Sequence, residues 1–459
     1  MKKIFIVVPE ALLIRNILRS GVLDSLKKKG RQVVVFILCD AIPDYIRAEF
    51  ADANVELVAV PDAAVPMGPV HRRFILFTHF LNLNDTTRVY FNYSRHYINR
   101  ARWARAMYLA FLNICGRLPG LKPLVRWVEQ VFFTEKNKTI AGYFEAYRPD
   151  LVFSTSITAK LDNVFLKEAR RRGVPTISMT KSWDNATKMY FRCVPDHFIV
   201  QDEIIRSELA RLQQFPPERI YVVGFPQFDW YRRPGVIKPR EEHLRGKGLD
   251  PDRAVIFFGS QGIWFKQDYQ VAEQIYQWIK RDELAKPCQL IVRPHFSNVK
   301  NTPLQKLKGL EHVSYDDSYH ISDVFVDNWD PTAAENTDFA NTLRHSDVVV
   351  NILSTIALDA ACFDRPTINA LYGGVYQNGR DVTHKMAEVV HYQWVFATGA
   401  TLVARSAEEL REAINQCLLD PQSKQAERKL LIDRLCYKVD GKSAERIVEV
   451  IETVLGQKT

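Results

Sequence analysis

The stretch Asp347-Val-Val-Val-Asn-Ile-Leu-Ser354-Thr355-Ile-Ala-Leu-Asp359-Ala-Ala-Cys-Phe-Asp364-Arg-Pro366-Thr-Ile-Asn369 decides the fold. A nearly continuous apolar run, Val348–Ile352, stops at a Ser-Thr pair, helical spacing follows, and Asp-Arg-Pro turns the chain into a second apolar run. Strands that are apolar at successive positions are buried on both faces, the habit of parallel sheets covered by helices. Working outward, the unit recurs. The second half predicts strands at Ala254–Gly259, Gln289–Arg293, Val324–Val326, Thr367–Asn369 and Leu402–Ala404, with helices at Tyr269–Lys280, from Ser354, at Ala407–Leu419 and at Ala444–Leu455. The first half predicts strands at Ile4–Val8, Gln32–Cys39, Val55–Val60, Leu151–Ser154, Thr176–Met179, His197–Gln201 and Ile220–Val223, with helices at Leu12–Lys29 and Ile42–Ala51.

This alternation implies an α/β chain of two doubly wound, Rossmann-like parallel-sheet domains facing each other across a cleft. The first covers residues 1–235, with a basic, aromatic, helical insertion at 66–138. The second covers 250–440, and a last helix at 441–459 can pack back on the first domain. Pro226–Leu249 reads as the linker. Ligands of such sheets sit beyond the carboxyl ends of the strands, so the loops after strands are where chemistry is sought.

The 459 residues suit two or three domains, and 47% hydrophobic with 25% charged residues excludes a disordered or collagen-like chain. Lys and Arg number 62 against 53 Asp and Glu, an excess of +9 that favours anionic partners: nucleotides, phosphorylated substrates, nucleic acid or an anionic membrane. No nucleic-acid recognition motif supports the third of these, so no nucleic acid is expected. The seven Cys are dispersed and never form a CxxC pair, which argues against a disulfide framework or zinc cluster and for a reducing compartment. Met1–Val8 reads as a buried first strand, since Pro9-Glu10 ends its short apolar run, and no run of about 20 apolar residues could span a membrane. The expected location is cytoplasmic, with the inner face of the cell membrane as the place of any peripheral attachment. No HExxH, GxSxG or carboxylate-rich metal set occurs, so no metal is expected.

Eight segments are candidates for chemistry. Ser354-Thr355 starts a helix whose free N–H groups suit a diphosphate, and Asp359, one turn on, can accept from a ribose hydroxyl; an ordinary N-cap with a surface Asp fits equally. Arg293-Pro-His295 leaves a strand, and both side chains can meet phosphate oxygens, or form a surface ion pair beside a packed His. Ser260-Gln261-Gly262, after Gly259, allows a backbone to approach a phosphate, or is a tight turn. In the first half, Ser182-Trp183-Asp184-Asn185 offers an aromatic face for a sugar and polar groups for its hydroxyls, with Asp184 a general base if the loop shields it and raises its pKa; a buried Trp beside an Asx turn is the alternative. Glu10 is the second candidate base, while Arg15-Asn16 belongs to a helix interior. Ser154-Thr155-Ser156 can line the same gap or cap a helix. Asp327-Asn328-Trp329-Asp330 can touch a base or ribose, or form a turn. Across Arg95–Phe133 seven cations (Arg95, Arg100, Arg102, Arg105, Arg117, Lys122, Arg126) lie among aromatics with Glu129 as the lone acid; this is a domain helix with a solvated basic face, or a helix lying on an anionic bilayer.

Ser182-Trp-Asp-Asn, Phe198-Ile-Val-Gln, Pro217–Asp229 and the Ser354-Thr355…Asp359…Arg365-Pro-Thr-Ile-Asn run together resemble bacterial surface-carbohydrate biosynthesis proteins. These are similar to CDP-glycerol glycerophosphotransferases and, more distantly, to UDP-sugar epimerases. The resemblance covers roughly residues 150–235 and 255–440. It implies the GT-B fold and a donor site in the second half made of Ser260, Gln261, Gly262, Arg293, His295, Ser354, Thr355 and Asp359. It also implies a metal-independent glycosyltransferase that moves a sugar from a UDP-, GDP- or CDP-linked donor to a surface-glycan or lipid-linked acceptor. Asp184 or Glu10 would be the base, and Ser182, Trp183 and Asn185 would bind substrate. The sequence departs from the family in carrying Arg-Pro-His rather than a His-Pro pair, and Asp359 where many GT-B enzymes have Glu. The same diphosphate site serves a CDP-glycerol- or ribitol-type polyol-phosphate transferase; an epimerase, a non-catalytic nucleotide- or glycan-binding protein and a membrane scaffold are further alternatives.

Overall fold

The computed structural model describes residues 1–93, 101–118, 120–133, 137–300, 302–325, 327 and 329–456. Arg95, Arg100, Val326 and Asn328 therefore lie outside the described residues. The first sheet has seven strands in the order β3-β2-β1-β4-β5-β6-β7: β1 Lys3–Val8, β2 Gln32–Leu38, β3 Val55–Val60, β4 Leu151–Ser154, β5 Thr176–Met179, β6 His197–Val200 and β7 Ile220–Val222. The second has six strands in the order β10-β9-β8-β11-β12-β15: β8 Ala254–Gly259, β9 Cys288–Arg293, β10 Val313–Tyr315, β11 Val348–Asn351, β12 Thr367–Ala370 and β15 Thr401–Ala404. A small hairpin, β13 Tyr376–Gln377 with β14 Arg380–Asp381, stands apart. Every pairing inside the two large sheets is parallel. The reason is the one read from the sequence: both faces of the central strands are apolar and both are covered, with Ile4, Phe5, Ile6, Val7, Val348, Val349 and Val350 all fully buried.

Three segments differ from expectation, each for a packing reason. The helix expected over 12–29 is broken into a π-helical turn, Ile14–Leu18, and an α-helix, Val22–Lys28, joined at Gly21 with φ 106°. A π turn shifts the residues after it out of α-helical register, and such turns collect at functional sites. The strand expected at Val324–Val326 is not formed at Val324 and Phe325, which lie in a turn. Phe325 is apolar because it inserts into the core of the first half, in the cluster built on β1 and the segment after it. The edge strand β10, half-buried and short, takes the place in the sheet instead. The expected linker is packed rather than loose: Pro226–Arg232 forms a 3-10 helix in which Phe225, Phe228 and Tyr231 stack in series, with centroids 4.7 and 5.6 Å apart.

The halves are held together by charge as well as by core. Asp327 accepts the backbone N–H groups of Ala11 and Leu12, both at 3.0 Å, and Arg19 reaches across to the fully buried Asp330 at 2.8 Å. The base- or ribose-binding role considered for this turn thus gives way to an interdomain clamp at Asp327 and Asp330. Ser154 and Thr155 are tied into the sheet, through Asp162 and the carbonyl of Val7, and both are fully buried. The final helix, Ser443–Gly456, buries Ile447, Ile451 and Val454 in the core of the first half, and Asp229 caps its first N–H groups at 3.1 and 2.8 Å. Between residues 66 and 133 the described chain is helical, at Pro69–His79, Asp85–Tyr93, Arg102–Arg117 and Leu121–Phe132.

Candidate functional site

The carboxyl ends of both sheets open on one cavity of about 220 Å³. Its wall comes from the loops after β1 (Leu12, Arg15, Asn16), β5 (Lys181, Ser182, Trp183), β7 (Phe225, Gln227, Phe228), β8 (Ser260), β9 (Arg293, His295, Phe296) and β11 (Ser354, Thr355, Asp359). In the sheet, β1 adjoins β4 and β8 adjoins β11, so the chain reverses its winding direction at both places. Such switch points leave a crevice at the strand ends, and the cavity fills it. A second cavity of about 230 Å³ lies alongside, lined by Tyr90, Asp184, Lys188, Gln261, Trp264, His391 and Tyr392 among others. Trp183, His295, Ser354 and Thr355 border both, so the two cavities meet along that seam.

Arg293 and Ser354 share the first cavity, but Arg293 is not a free cation. It is buried, ion-paired with Asp316, and sandwiched by the rings of Tyr319 and Phe339 with centroids at 4.6 and 4.8 Å. His295 is no cation either. Its Nδ1 accepts the backbone N–H of Ser297 at 3.1 Å, which leaves the proton on Nε2, and burial holds its pKa down at about 4. It therefore presents a neutral N–H donor at the seam. Gly262 makes room for it: at φ +70° a Cβ there would come within 2.7 Å of the His295 Cβ.

The 260–262 loop departs from the phosphate-cradle expectation. Buried Asp268 already accepts the Ser260 hydroxyl at 2.8 Å and the Gln261 N–H at 2.7 Å, and the Gly262 N–H turns back to Ser260 Oγ at 3.2 Å. These donors stiffen the loop behind His295. At the Ser354-Thr355 start the helix is only Ile356–Ala361, Thr355 makes no side-chain cap, and the Ile356 N–H closes on Ser354 Oγ at 3.3 Å. The turn is fixed from below by Asn351, whose Oδ1 accepts from the Ser354 N–H at 3.2 Å and from Asn369 at 3.0 Å. Asp359 faces the cavity, takes a 2.5 Å hydrogen bond from the Tyr231 hydroxyl, and is pushed up to about 6 by burial, against the pull of Tyr231 and Arg15.

A model of the CDP-Glycerol:Poly(glycerophosphate) glycerophosphotransferase family matches residues 173–453. The chain belongs to that family. No curated protein matches it in sequence. Among solved structures it is similar to the S. aureus MnaA–UDP co-structure (14% identity, 99% of this chain and 97% of that one, TM-score 0.57). It is also similar to a UDP-GlcNAc 2-epimerase from Neisseria meningitidis bound to UDP-GlcNAc (11% identity, 99% and 100%, TM-score 0.54) and a glycosyltransferase from Rickettsia africae (11%, 99% and 98%, TM-score 0.52). At these identities the likeness is one of fold: the two facing sheets are the GT-B arrangement. Family and fold together make this glycerophosphotransferase-family chain a nucleotide-linked transferase.

The first-half residues are placed less as the sequence suggests. Trp183 is only 2% exposed; it packs edge-on against His391 and Tyr392, centroids 5.1 and 6.0 Å away, and so joins the halves rather than offering a face to a sugar. The Asn185 side chain reaches back to accept the Ser182 N–H at 2.8 Å, which closes the loop without being an Asx turn, since the donor precedes the acceptor. Asp184 lines the second cavity, shielded as expected, yet its pKa is lowered to about 2, because the attraction of Lys188 and His391 outweighs the upward push of burial. Its Oδ1 is buried and accepts no hydrogen bond. Glu10 lines neither cavity and pairs with Lys181 at 2.7 Å.

The residue that sequence reasoning misplaced is Arg15. The π turn brings it to the cavity wall, 5.6 Å from the Trp329 ring and within the field of Asp359, Tyr231 and Glu335. Its Nε donates to Asn16 at 2.9 Å; among the described residues its two Nη groups donate to nothing. Tyr231 was likewise hidden, in the stretch read as a linker, whereas Trp329, stacked on Phe296 at 4.4 Å, belongs to the turn weighed for contact with a base or ribose and does line the cavity.

Proposed function

We propose that the chain moves a polyol-phosphate unit from a CDP-alcohol donor, held in the first cavity, to a hydroxyl presented in the second. The observation that carries this reading is the convergence of both sheets' strand ends on joined cavities with Arg15 uncommitted at the wall, in a chain of the glycerophosphotransferase family. Arg15 binds the diphosphate with its Nη donors, the His295 Nε2–H and the Ser354 hydroxyl add neutral donors at the seam, and Asp359 with Tyr231 takes a ribose hydroxyl. The acceptor oxygen attacks the phosphorus that bears the alcohol. The bond from that phosphorus to the bridging oxygen breaks, and CMP leaves with the bridging oxygen. The Asp184 carboxylate receives the acceptor proton; so weak a base takes it late, once the forming bond has acidified the hydroxyl. The donors that replace a divalent cation in this scheme are all protein groups, so activity persists in EDTA.

Glycosyl transfer from a nucleotide-diphosphate sugar is the second reading. It is favoured by the small number of uncommitted cations, since Arg293 and Lys181 are each paired with a carboxylate and a phosphoryl transition state calls for more positive charge around phosphorus. Product analysis separates the two. CMP released from a CDP-alcohol supports the first, a nucleoside diphosphate released from a nucleotide sugar supports the second, and a protein that no nucleotide diphosphate stabilises against heat has neither activity.

A further inference from the structure

A third cavity, of about 230 Å³, lies in the first half and shares no lining residue with the two in the cleft. Its walls come from the helices Pro69–His79, Leu121–Phe132, Lys138–Tyr147 and Lys160–Arg171 and from Arg192. Met67, Ile75, Phe133, Ile140 and Val164 make part of the lining apolar. Elsewhere the lining is charged, around buried Glu129. That carboxylate accepts from Lys167 at 2.6 Å, from His71 at 2.8 Å and from the Arg192 Nε at 3.2 Å. Against the upward push of burial, His71, Lys167 and Arg192 hold its pKa down at about 2, so it is ionised. The other charges of the lining are spoken for: Glu168 pairs with Arg171 and Arg172, and Lys160 pairs with Asp62. What remains is Lys167 and Arg192 against Glu129, two cations for one carboxylate. Lys167 and His71 already satisfy Glu129, and Arg192 makes the longest of the three contacts. The Arg192 side chain is 11% exposed, and among the described residues its two Nη groups donate to nothing. A guanidinium so shielded, with donors unmet, is unfavourable in the empty protein.

We propose that this cavity binds a small monocarboxylate with a compact apolar body, its two oxygens on the Arg192 Nη groups and its body against Ile75, Phe133, Ile140 and Val164. A carboxylate fits better than a phosphate for two reasons. The surplus in the lining is a single positive charge, which a monoanion neutralises and a phosphate dianion overshoots. The planar end of a guanidinium also matches two coplanar oxygens. The apolar share of the lining sets the rest of the class, an aromatic or branched aliphatic acid. Arg192 is tied to the cleft by a pinned segment. The Phe191 N–H donates to Gln213 Oε1 at 2.9 Å, and the Gln213 amide donates to the carbonyls of Ala186 and Met189, at 3.1 and 2.8 Å. Asp184 and Lys188, at the other end of that segment, line the second cavity. A ligand that fixes Arg192 therefore steadies that wall as well.

The test is titration of the full chain with phenylacetate, followed by saturation-transfer NMR on the probe, with acetate and benzamide as controls. Saturable phenylacetate binding is expected. Acetate lacks the apolar body and benzamide lacks the charge, so both should bind more weakly by roughly tenfold or more. Arg192→Gln keeps an N–H for Glu129 but loses the fork, and should weaken phenylacetate by roughly tenfold or more. Val164→Phe leaves Arg192 in place and fills the cavity, so it should weaken the probe as much; it also keeps the test open should Arg192→Gln fold poorly. Saturating CDP should leave phenylacetate bound. The absence of saturable binding, equal binding of benzamide, binding that survives both substitutions, or displacement by CDP would each overturn the proposal. Probe binding is read without turnover, so its failure is distinct from failure of the proposed reaction.

Discussion

Arg15→Met is the substitution in which the reasoning about the site is most exposed. Arg15 is a guanidinium sunk in the cavity wall with one neutral partner, Asn16, and burial lowers its pKa. A half-buried charge without an ion-pair partner in contact is a burden on the empty protein, and replacing it by an apolar side chain of similar length is neutral or stabilising. With a diphosphate bound, the same guanidinium makes charge-assisted hydrogen bonds worth about 1.5–3 kcal/mol, so its loss weakens nucleotide affinity roughly 10- to 150-fold. The two effects have opposite signs, which a purely structural residue cannot reproduce. Calorimetric titration with CDP and UDP, and thermal melts of the empty variant, are the assays. Lower affinity with an unchanged or higher melting temperature is expected. A lower melting temperature with affinity unchanged within twofold would show that Arg15 holds the fold and not the ligand.

Three further outcomes are expected. Gly262→Ala, forced into a left-handed backbone and against the His295 Cβ, should lower stability by about 1–3 kcal/mol and displace the His295 donor, seen as reduced turnover beyond any loss of folded protein. Asp184→Asn leaves the part-buried Lys188 ammonium without its counter-charge and should destabilise by about 1–3 kcal/mol in urea unfolding; adding Lys188→Met should recover most of that stability but not activity, and recovered activity would remove Asp184 from the reaction. Asp359 has its folded pKa raised to about 6 from 3.8, so the fold favours its protonated form: the stability it contributes is full below about pH 4, is lost as pH rises towards 6, and is flat above. Asp359→Asn should therefore flatten the melting-temperature profile between pH 4 and 6, and an unaltered slope would argue against that burial.

Much of the architecture was legible because it is written in continuous apolar runs. Leu151–Ser154, Thr176–Met179 and Ala254–Gly259 are strands at the residues the sequence suggests, since burial on both faces keeps charged residues out of them and leaves short, sharply bounded runs. Phe325 shows where this reasoning fails: an apolar residue marks burial but not the partner that buries it, and here the partner is the core of the other half. The candidate site follows the same division. Ser354, Arg293 and His295 could be placed at the cavity because they follow strands directly. The neutrality of His295, the capture of Arg293 by Asp316 and the diversion of the 260–262 donors to Asp268 depend on contacts between segments far apart in the chain or set by the folded loop. Arg15 was misplaced because a π turn, unlike a Gly or Pro break, leaves no compositional mark.

The structure of a complex with CDP tests the central claim most directly. The diphosphate should lie in the cavity between the two sheets, with an oxygen hydrogen-bonded to the Arg15 Nη groups, the ribose beside Asp359, and the terminal phosphate at the seam of His295 and Ser354. A nucleotide seated elsewhere, or one held in this cavity with Arg15 turned away from the phosphates, would contradict the account.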